Sequence, residues 1–224
     1  MSNFVLKIIA IITMFIDHLG YAICEKFSYF NYIGRLAFPI FAFGISEGYK
    51  HTKSKKNYLM RLLIFAISSQ VPFMFFNSIF SNSFKLNIFF TLLTGLIAII
   101  GYEQCKNKYV GLLLVVCLSL TADTLKMDYG YWGVLVIFIF HVFKDKKILM
   151  NVSYIGLCLL KYIPLYLRYN FNLSYIILCL CTILPILFIN FYNGKKGKDT
   201  KYLLYAFYPA HLMVLYVINL LFIG

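Results

Sequence analysis

An aspartate and a histidine, Asp17 and His18, stand side by side in an otherwise apolar N-terminal stretch. A carboxylate or an imidazole inside hydrocarbon is costly unless it has a partner, so such residues are functional by default. A histidine also exchanges its proton near neutral pH, which makes His18 a candidate general base in a place that water reaches poorly. The pair therefore indicates proton-transfer chemistry within an apolar helix.

The orientation of His18 requires a partner from elsewhere in the chain. Adjacent residues on a helix project about 100° apart, so Asp17 and His18 cannot face each other. A second group must hold the imidazole ring if it is to act as a base. The candidates are Glu47, Asp128 and a backbone carbonyl exposed near Pro39 or Pro209.

The second apolar stretch carries Arg35 near its start, Glu47 near its end and Pro39 between them. Arg35 either extends to lipid headgroups or turns inward, where it pairs with Asp17 or Asp128 or stabilises an oxyanion. Pro39 lacks a backbone N–H and is expected to bend this helix. Glu47 lies beside a basic loop, so it either neutralises that loop or contributes to substrate binding.

Two further candidate sites lie near the C-terminus. Pro209 falls between Tyr208 and His211, and its missing N–H favours a polar notch inside a helix bundle. His211 is either a packed histidine bound to a carbonyl or a group that contacts substrate. Lys195 and Lys196 lie between two glycines, a composition that suits phosphate binding but equally suits a cytoplasmic loop.

Composition indicates that membrane-spanning helices position these groups. The 224 residues are 62% hydrophobic with a mean hydropathy of +0.80, which is typical of a membrane protein rather than a soluble domain. Polar breaks divide the chain into about nine apolar stretches, so we expect an all-α, polytopic membrane helix bundle that forms a single domain over residues 1–224. The expected spans are residues 4–24, 33–49, 57–76, 86–102, 109–122, 131–143, 148–165, 173–192 and 202–222.

Charge distribution predicts the orientation of the bundle. With a cytoplasmic N-terminus, fifteen of the 21 Lys and Arg residues fall on the cytoplasmic side, so the positive-inside rule predicts a cytoplasmic N-terminus and an outside C-terminus. The net charge of +13 is explained by these loops and not by nucleic-acid binding. We therefore expect a multi-pass protein of the cell membrane, in contact with the lipid bilayer and without a nucleic-acid partner.

Several classes of site are missing from the sequence. The six cysteines lie mostly in apolar stretches and are interpreted as small hydrophobic residues, without disulfides or metal binding. No phosphate-binding P-loop, no serine-hydrolase elbow and no zinc-protease motif occurs. The sequence therefore gives no support to ATP-driven, redox or zinc-hydrolase chemistry, and no metal site is predicted.

Several segments, spread in order over nearly the whole chain, follow a common pattern. They are residues 14–18 (MFIDH), 34–43 (GRLAFPIFAF), 47–52 (EGYKHT) leading to 61–62 (RL), 86–91 (LNIFFT), 192–197 (YNGKKG) and 207–212 (FYPAHL). Each segment is unspecific alone, and in combination they resemble the TraX family of membrane proteins. The pattern around Asp128 also fits, whereas residues 102–126 and 147–173 match in hydropathy alone.

The resemblance implies a membrane acyltransferase that uses acetyl-CoA as co-substrate. The family includes the enzyme that acetylates the N-terminus of conjugative pilin, although a peptide, a glycan or a small molecule remains open as acceptor. His18 corresponds to the catalytic first-helix histidine of a larger acyltransferase group. The expected catalytic residues are His18, Asp17, Arg35 and His211, and those expected to bind substrate or CoA are Glu47, Asn87, Asp128, Tyr208, Lys195 and Lys196.

Two alternatives remain open at this point. A small transporter or proton-coupled carrier would use Asp17, His18, Arg35 and His211 as a relay across the bilayer. A non-catalytic scaffold would bind a membrane-inserted peptide without needing these polar groups. The absence of an inverted repeat weighs mildly against the transporter.

Overall fold

The computed structural model describes residues 1–24, 29–81, 83–198 and 201–222, with side chains except at 201–204. These residues form twelve α-helices, which confirms the prediction of an all-α fold. The helices are α1 (Asn3–Cys24), α2 (Tyr29–Gly34), α3 (Ala37–His51), α4 (Lys55–Ser68), α5 (Gln70–Ser78), α6 (Ile88–Gln104), α7 (Lys108–Thr124), α8 (Gly130–Val142), α9 (Lys147–Arg168), α10 (Ser174–Ile183), α11 (Pro185–Asn190) and α12 (Lys201–Phe222).

The twelve helices follow the nine predicted apolar stretches, because three of the stretches are interrupted. The second overlaps the last two residues of α2 and continues into α3, the third covers most of α4 and α5, and the eighth covers α10 and α11. Within the described residues, four helical stretches are long and apolar enough to cross a membrane. They are Asn3–Cys24, Lys55–Ser78, Lys147–Arg168 and Tyr205–Phe222. The number of crossings and the orientation stay predictions.

Pro39 does not bend a helix, contrary to the sequence-based expectation. Helix α3 begins at Ala37, so Pro39 falls in its first turn, where a backbone N–H has no intrahelical partner to lose. The interruption lies instead at residues 35–36, directly before α3. This break places Arg35 at the end of α2, close to the C-terminal half of α1.

The centre of the bundle is built around α1, α3 and α12. Helix α1 packs against α2, α3 and α12, and α3 also packs against α6 and α8. The largest fully buried side chains include Trp132, Tyr154 and Phe38. Helix α7 packs against α6 and α8 and turns much of its surface outward, with Tyr109 83% exposed. Such broad apolar exposure is what a lipid-facing surface requires.

Backbone hydrogen bonds between loops stabilise each end of the bundle. At one end, the backbone N–H groups of Asn3 and Phe4 donate to the carbonyls of Lys195 and Lys196, at 2.9 and 3.1 Å. These bonds satisfy N–H groups that the first turn of a helix leaves without partners. At the other end, Leu86 pairs with the chain segment 126–128 and so joins the loop before α6 to the loop before α8.

Candidate functional site

His18 and His211 form a hydrogen-bonded pair between α1 and α12. His18 Nδ1 lies 2.7 Å from His211 Nε2, and His211 Nδ1 lies 2.7 Å from the carbonyl oxygen of Phe207. A carbonyl can only accept, so His211 must carry its proton on Nδ1. In the neutral ring its Nε2 then accepts from His18, which places the proton of His18 on Nδ1.

The consequence is an unprotonated Nε2 on His18. An imidazole with its proton fixed on one nitrogen presents the lone pair of the other, which is the arrangement that a general base requires. The partner that orients His18 is therefore His211, supported by the carbonyl of Phe207. None of the candidates named from the sequence, Glu47, Asp128 or a carbonyl in direct contact, has this role.

A cavity of about 320 Å³, here called the histidine cavity, gives access to His18. Aromatic rings form much of its wall, with Phe76 edge-on to the His18 ring at a centroid distance of 5.1 Å. His18 is partly accessible within it, whereas His211 is 5% exposed and lies behind it. The polar residues that line the cavity are Asp17, His18, Tyr21, Arg35, Lys85, Asp128, Tyr129, Lys161 and Tyr208.

Asp17 belongs to an ion-pair network that joins α1 to α2. Its carboxylate accepts from the Nδ2 of Asn31 at 3.0 Å and from the guanidinium of Arg35 at 3.2 Å. The Nε of Arg35 also donates to the carbonyl of Asn31, at 3.1 Å. Arg35 thus turns inward and pairs with Asp17, one of the two partners considered. These bonds fix the wall of the cavity beside His18.

Asp128 lies in the same cavity but is less constrained. Its backbone is held on both sides, since its N–H donates to Leu86 and its carbonyl accepts from the hydroxyl of Thr91. Among the described residues, no hydrogen bond to its carboxylate is found. Burial raises the pKa of this carboxyl group, whereas nearby Arg35 and Lys85 act in the opposite direction. The carboxylate is thus available to a molecule in the cavity.

Tyr208 lies between His18 and the start of α6. The residue is 2% exposed, its ring centroid is 6.2 Å from that of His18, and among the described residues no hydrogen bond to its hydroxyl is found. Tyr208 lines the histidine cavity together with Ile88, the first residue of α6, where N–H groups have no partner within the helix. The polar notch predicted near Pro209 therefore contains both Tyr208 and His211.

Asn87 caps the same helix and lines neither cavity. Its Oδ1 accepts from the N–H of Phe89 at 3.0 Å, and its Nδ2 donates to Ala66 and Gln70 at 2.7 and 2.9 Å. The residue is fully buried, and its amide group is occupied by these contacts. The structure thus gives Asn87 a capping position behind the site and not a position in contact with a ligand.

A second cavity of about 670 Å³, here called the lysine-rich cavity, opens among the basic loops. Its cationic residues are Lys7, Lys53, Arg61 and Lys196. Lys196 lines this cavity, whereas Lys195 is exposed and does not. The backbone N–H of Lys195 is already bound by the side chain of Asn193, so it does not cradle an anion.

Glu47 and Arg61 both line the lysine-rich cavity. Glu47 is 8% exposed and pairs with His51 at 3.4 Å. Arg61 stacks over the ring of Tyr58 at 5.5 Å, and its Nε has no hydrogen-bond partner in the described part of the chain. An arginine held by a ring with a free donor is well suited to bind an anion.

The two cavities meet at Phe41, whose side chain lines both. The histidine cavity extends along the C-terminal half of α1 and the start of α3. The lysine-rich cavity extends along the start of α1 and the end of α3. They therefore extend towards opposite ends of the bundle, and Phe41 borders both.

Sequence reasoning missed several of these residues. Asn31, between Phe30 and Tyr32, is not among the candidates named from the sequence, although it holds both Asp17 and Arg35. His141 is not among them either, whereas it is 1% exposed and lies 2.9 Å from Glu103. The positions of Lys7 and Arg61, one or two turns inside apolar helices, are the signal that could have identified them as cavity residues.

The described residues contain no group of three or more His, Cys, Asp or Glu side chains that could hold a metal ion. All six cysteines are free. Cys158 and Cys179 are buried, as expected of small hydrophobic residues.

Comparison with known proteins gives a consistent result. A family model described as "TraX protein" matches residues 2–219. The chain is also 30% identical over 234 residues to a protein of Dichelobacter nodosus named "probable fimbrial assembly protein FimC, serogroup H1", and the match covers 96% of this chain and 94% of that protein. No solved structure matches significantly. The chain belongs to the TraX family.

Proposed function

We propose that the protein is an integral membrane acyltransferase, which moves an acetyl or short acyl group from acetyl-CoA to an amine or hydroxyl acceptor. The observation that carries this proposal is the lone pair on Nε2 of His18, fixed by the pair with His211 in a cavity adjacent to a second, cation-lined cavity. Acyl transfer needs such a base to take the proton of the nucleophile.

The lysine-rich cavity suits the phosphates and nucleotide of CoA. CoA is polyanionic, and clustered cations around a concave opening raise the local concentration of such a ligand. Under the predicted orientation this cavity opens to the cytoplasm, where acetyl-CoA is found. The flexible arm that carries the thioester would extend inward past Phe41 towards His18.

The histidine cavity suits the acceptor. Asp128 offers a carboxylate without a hydrogen-bond partner among the described residues, and an amine of the acceptor would bind there beside the base. The relative named a fimbrial assembly protein and the association of the family with pilin acetylation favour an exported peptide, such as a pilin subunit, as acceptor. Its amino group would enter from the outer face.

The reaction follows from these positions. The acceptor nitrogen or oxygen attacks the thioester carbon, and Nε2 of His18 takes its proton. The tetrahedral intermediate then collapses, the carbon–sulfur bond breaks, and the imidazolium returns the proton to the leaving thiolate. The products are the acylated acceptor and free CoA thiol, so no metal or redox group is needed.

The first experiment measures thiol release from acetyl-CoA by the purified protein in lipid nanodiscs, with and without an N-terminal pilin peptide. We expect peptide-dependent thiol release in the wild type and a loss of at least about 100-fold in His18→Gln, because a general base contributes about that much. His141→Gln is the control, because His141 lines neither cavity. Equal rates for the wild type and His18→Gln would contradict the proposal.

A transporter remains the second candidate because two cavities enter the bundle from opposite ends and meet at one ring. Reconstitution into liposomes distinguishes the two functions. Release of the CoA thiol together with transfer of the acetyl group to a peptide on the opposite side of the vesicle supports the acyltransferase. Movement of solute or protons without thiol release supports the transporter.

A further inference from the structure

The proposed acyl transfer, on which this inference rests, creates a negative charge on the thioester oxygen. That charge must be met by a hydrogen-bond donor, because preorganised donors of this kind are often the largest single contribution to acyl-transfer catalysis. Sequence alone left three candidates, Arg35, Tyr208 and His211. Their contacts in the bundle separate them.

His211 has no donor to offer. Its Nδ1–H is bound to the carbonyl of Phe207, and its Nε2 accepts from His18. Both ring nitrogens are therefore occupied when the pair is neutral. His211 acts on the site through His18 and is a positioning residue.

Arg35 is committed to the ion-pair network. Its Nη2 donates to the carboxylate of Asp17, and its Nε donates to the carbonyl of Asn31. A movement of the guanidinium towards an oxyanion would leave a buried carboxylate on Asp17 without its cation, which is costly. Arg35 therefore holds the cavity wall and sets its charge.

Tyr208 is the remaining one of the three candidates, and its hydroxyl is free. Among the described residues no hydrogen bond to or from this hydroxyl is found, although Tyr208 is only 2% exposed. Tyr208 lines the histidine cavity beside His18, so its O–H is available to a group that binds in the cavity.

The start of α6 lies beside this donor, since the ring of Tyr208 packs against Phe89 in the first turn. Helix N-termini carry a partial positive charge, which favours a negative charge that develops nearby. Asn87 fixes the position of that N-terminus through three hydrogen bonds. The ring of Tyr208 is held edge-on by Phe89 at 5.2 Å and by His211 at 5.7 Å, so the hydroxyl has little freedom to turn.

We propose that Tyr208 is the catalytic oxyanion donor of this site, with its phenolic proton bound to the thioester oxygen while His18 removes the proton of the acceptor. As the acceptor bond forms, the electron pair of the carbonyl moves to the oxygen and is stabilised by the O–H of Tyr208. When the carbonyl re-forms, the carbon–sulfur bond breaks and the thiolate receives the proton from His18. Tyr208 keeps its own proton throughout.

The test compares Tyr208→Phe with Tyr216→Phe, a tyrosine on the same helix that packs against Phe75 away from both cavities. We expect Tyr208→Phe to lower kcat about 100-fold with an unchanged KM for acetyl-CoA, as is typical for loss of one oxyanion donor. Tyr216→Phe should match the wild type. Wild-type kcat in Tyr208→Phe would overturn the inference.

Fluorinated tyrosines give a second readout that does not depend on removing the hydroxyl. Replacement of Tyr208 by 3-fluorotyrosine and then by 3,5-difluorotyrosine makes the phenol progressively more acidic with little change in shape. A donor to an oxyanion predicts a graded change in kcat along this series, at constant KM and thermal stability. A flat series would assign the hydroxyl a structural role and overturn the inference.

The two levels of failure are distinguishable. If the wild type releases no thiol from acetyl-CoA with any acceptor, the proposed function fails. If the wild type is active, His18→Gln is inactive, and the Tyr208 variants retain wild-type kcat, then only the assignment of the oxyanion donor fails.

Discussion

His18 Nδ1 and His211 Nε2 lie 2.7 Å apart, although 193 positions separate the two residues in sequence. The contact joins the first helix to the last and fixes which nitrogen of His18 is free. A catalytic base usually has a carboxylate or a carbonyl as its orienting partner. In the proposed site a second imidazole takes that place, and a carbonyl fixes the second imidazole in turn.

The proton positions of this pair are the first prediction. In the wild type, ¹⁵N NMR of histidine-labelled protein should report the Nδ1–H form of His18, assigned by its loss in His18→Gln. His211→Leu should release this preference and lower kcat about 100-fold. His211→Gln, which keeps a donor and an acceptor, should lose less. An Nε2–H form of His18 in the wild type would contradict the tautomer derived from the contacts.

The second prediction concerns the ion pair of Asp17 with Arg35. Arg35→Leu leaves a buried carboxylate without its cation and should lower the free energy of unfolding by about 3 kcal/mol. Adding Asp17→Asn should recover most of that loss, since the remaining amide is neutral. Denaturant titration in detergent measures both. The control is His51→Leu, because the side chain of His51, which pairs with Glu47, is 61% exposed. Its free energy of unfolding should fall by less than about 1 kcal/mol.

The cap at Asn87 gives the third prediction. Asn87→Ala removes a helix cap and should cost about 1–2 kcal/mol of stability. If Tyr208 depends on the start of α6, kcat should fall as well. The matched control is Asn107→Ala, because Asn107 caps the exposed helix α7 through Tyr109 at 2.8 Å. Equal losses of kcat in Asn87→Ala and Asn107→Ala would show that the cap at Asn87 has no specific effect on catalysis.

Gly34 provides the fourth prediction, because α2 approaches α1 closely at this position. A Cβ on Gly34 would collide with the side chain of Asp17, which is held in place by Asn31 and Arg35. Gly34→Ala should therefore lower the melting temperature and the activity together. Gly156→Ala on α9 meets no atom within 4 Å and should leave both unchanged or slightly raise stability. Wild-type behaviour of Gly34→Ala would show that the two helices can separate freely.

The fifth prediction concerns the lysine-rich cavity. Lys53→Ala and Arg61→Gln should each raise the KM for acetyl-CoA up to about tenfold, because each removes one charged contact to a phosphate. The effect should shrink as salt is added. Lys146→Ala, in the exposed loop before α9, is the control. An unchanged KM for acetyl-CoA in both Lys53→Ala and Arg61→Gln would place the binding of CoA elsewhere.

The sequence predicted the helical class and most helix boundaries, because apolar runs separated by basic loops leave few alternatives. It also selected His18, Arg35, Tyr208 and His211, since polar groups are conspicuous in hydrocarbon. It could not pair them. The contact between His18 and His211 depends on how α1 meets α12, and local sequence carries no information about that meeting.

The same limit applies to the residues that support the site. Asn87 was grouped with ligand-binding residues because its segment resembles the family, whereas its burial and its three hydrogen bonds make it a cap. Pro39 was expected to bend a helix, but the helix starts just before it. In both cases the position of a helix start decided the role of the residue.

The ring of Phe41 has a consequence for the cell as well as for the reaction. Cavities that enter a membrane protein from opposite ends reduce the low-dielectric layer between the two aqueous phases to the atoms that lie between the cavities. In this protein the phenyl ring of Phe41 borders both cavities. Under the predicted orientation, a small side chain at position 41 would thin this layer, and the bulk of Phe41 would then limit the leakage of protons.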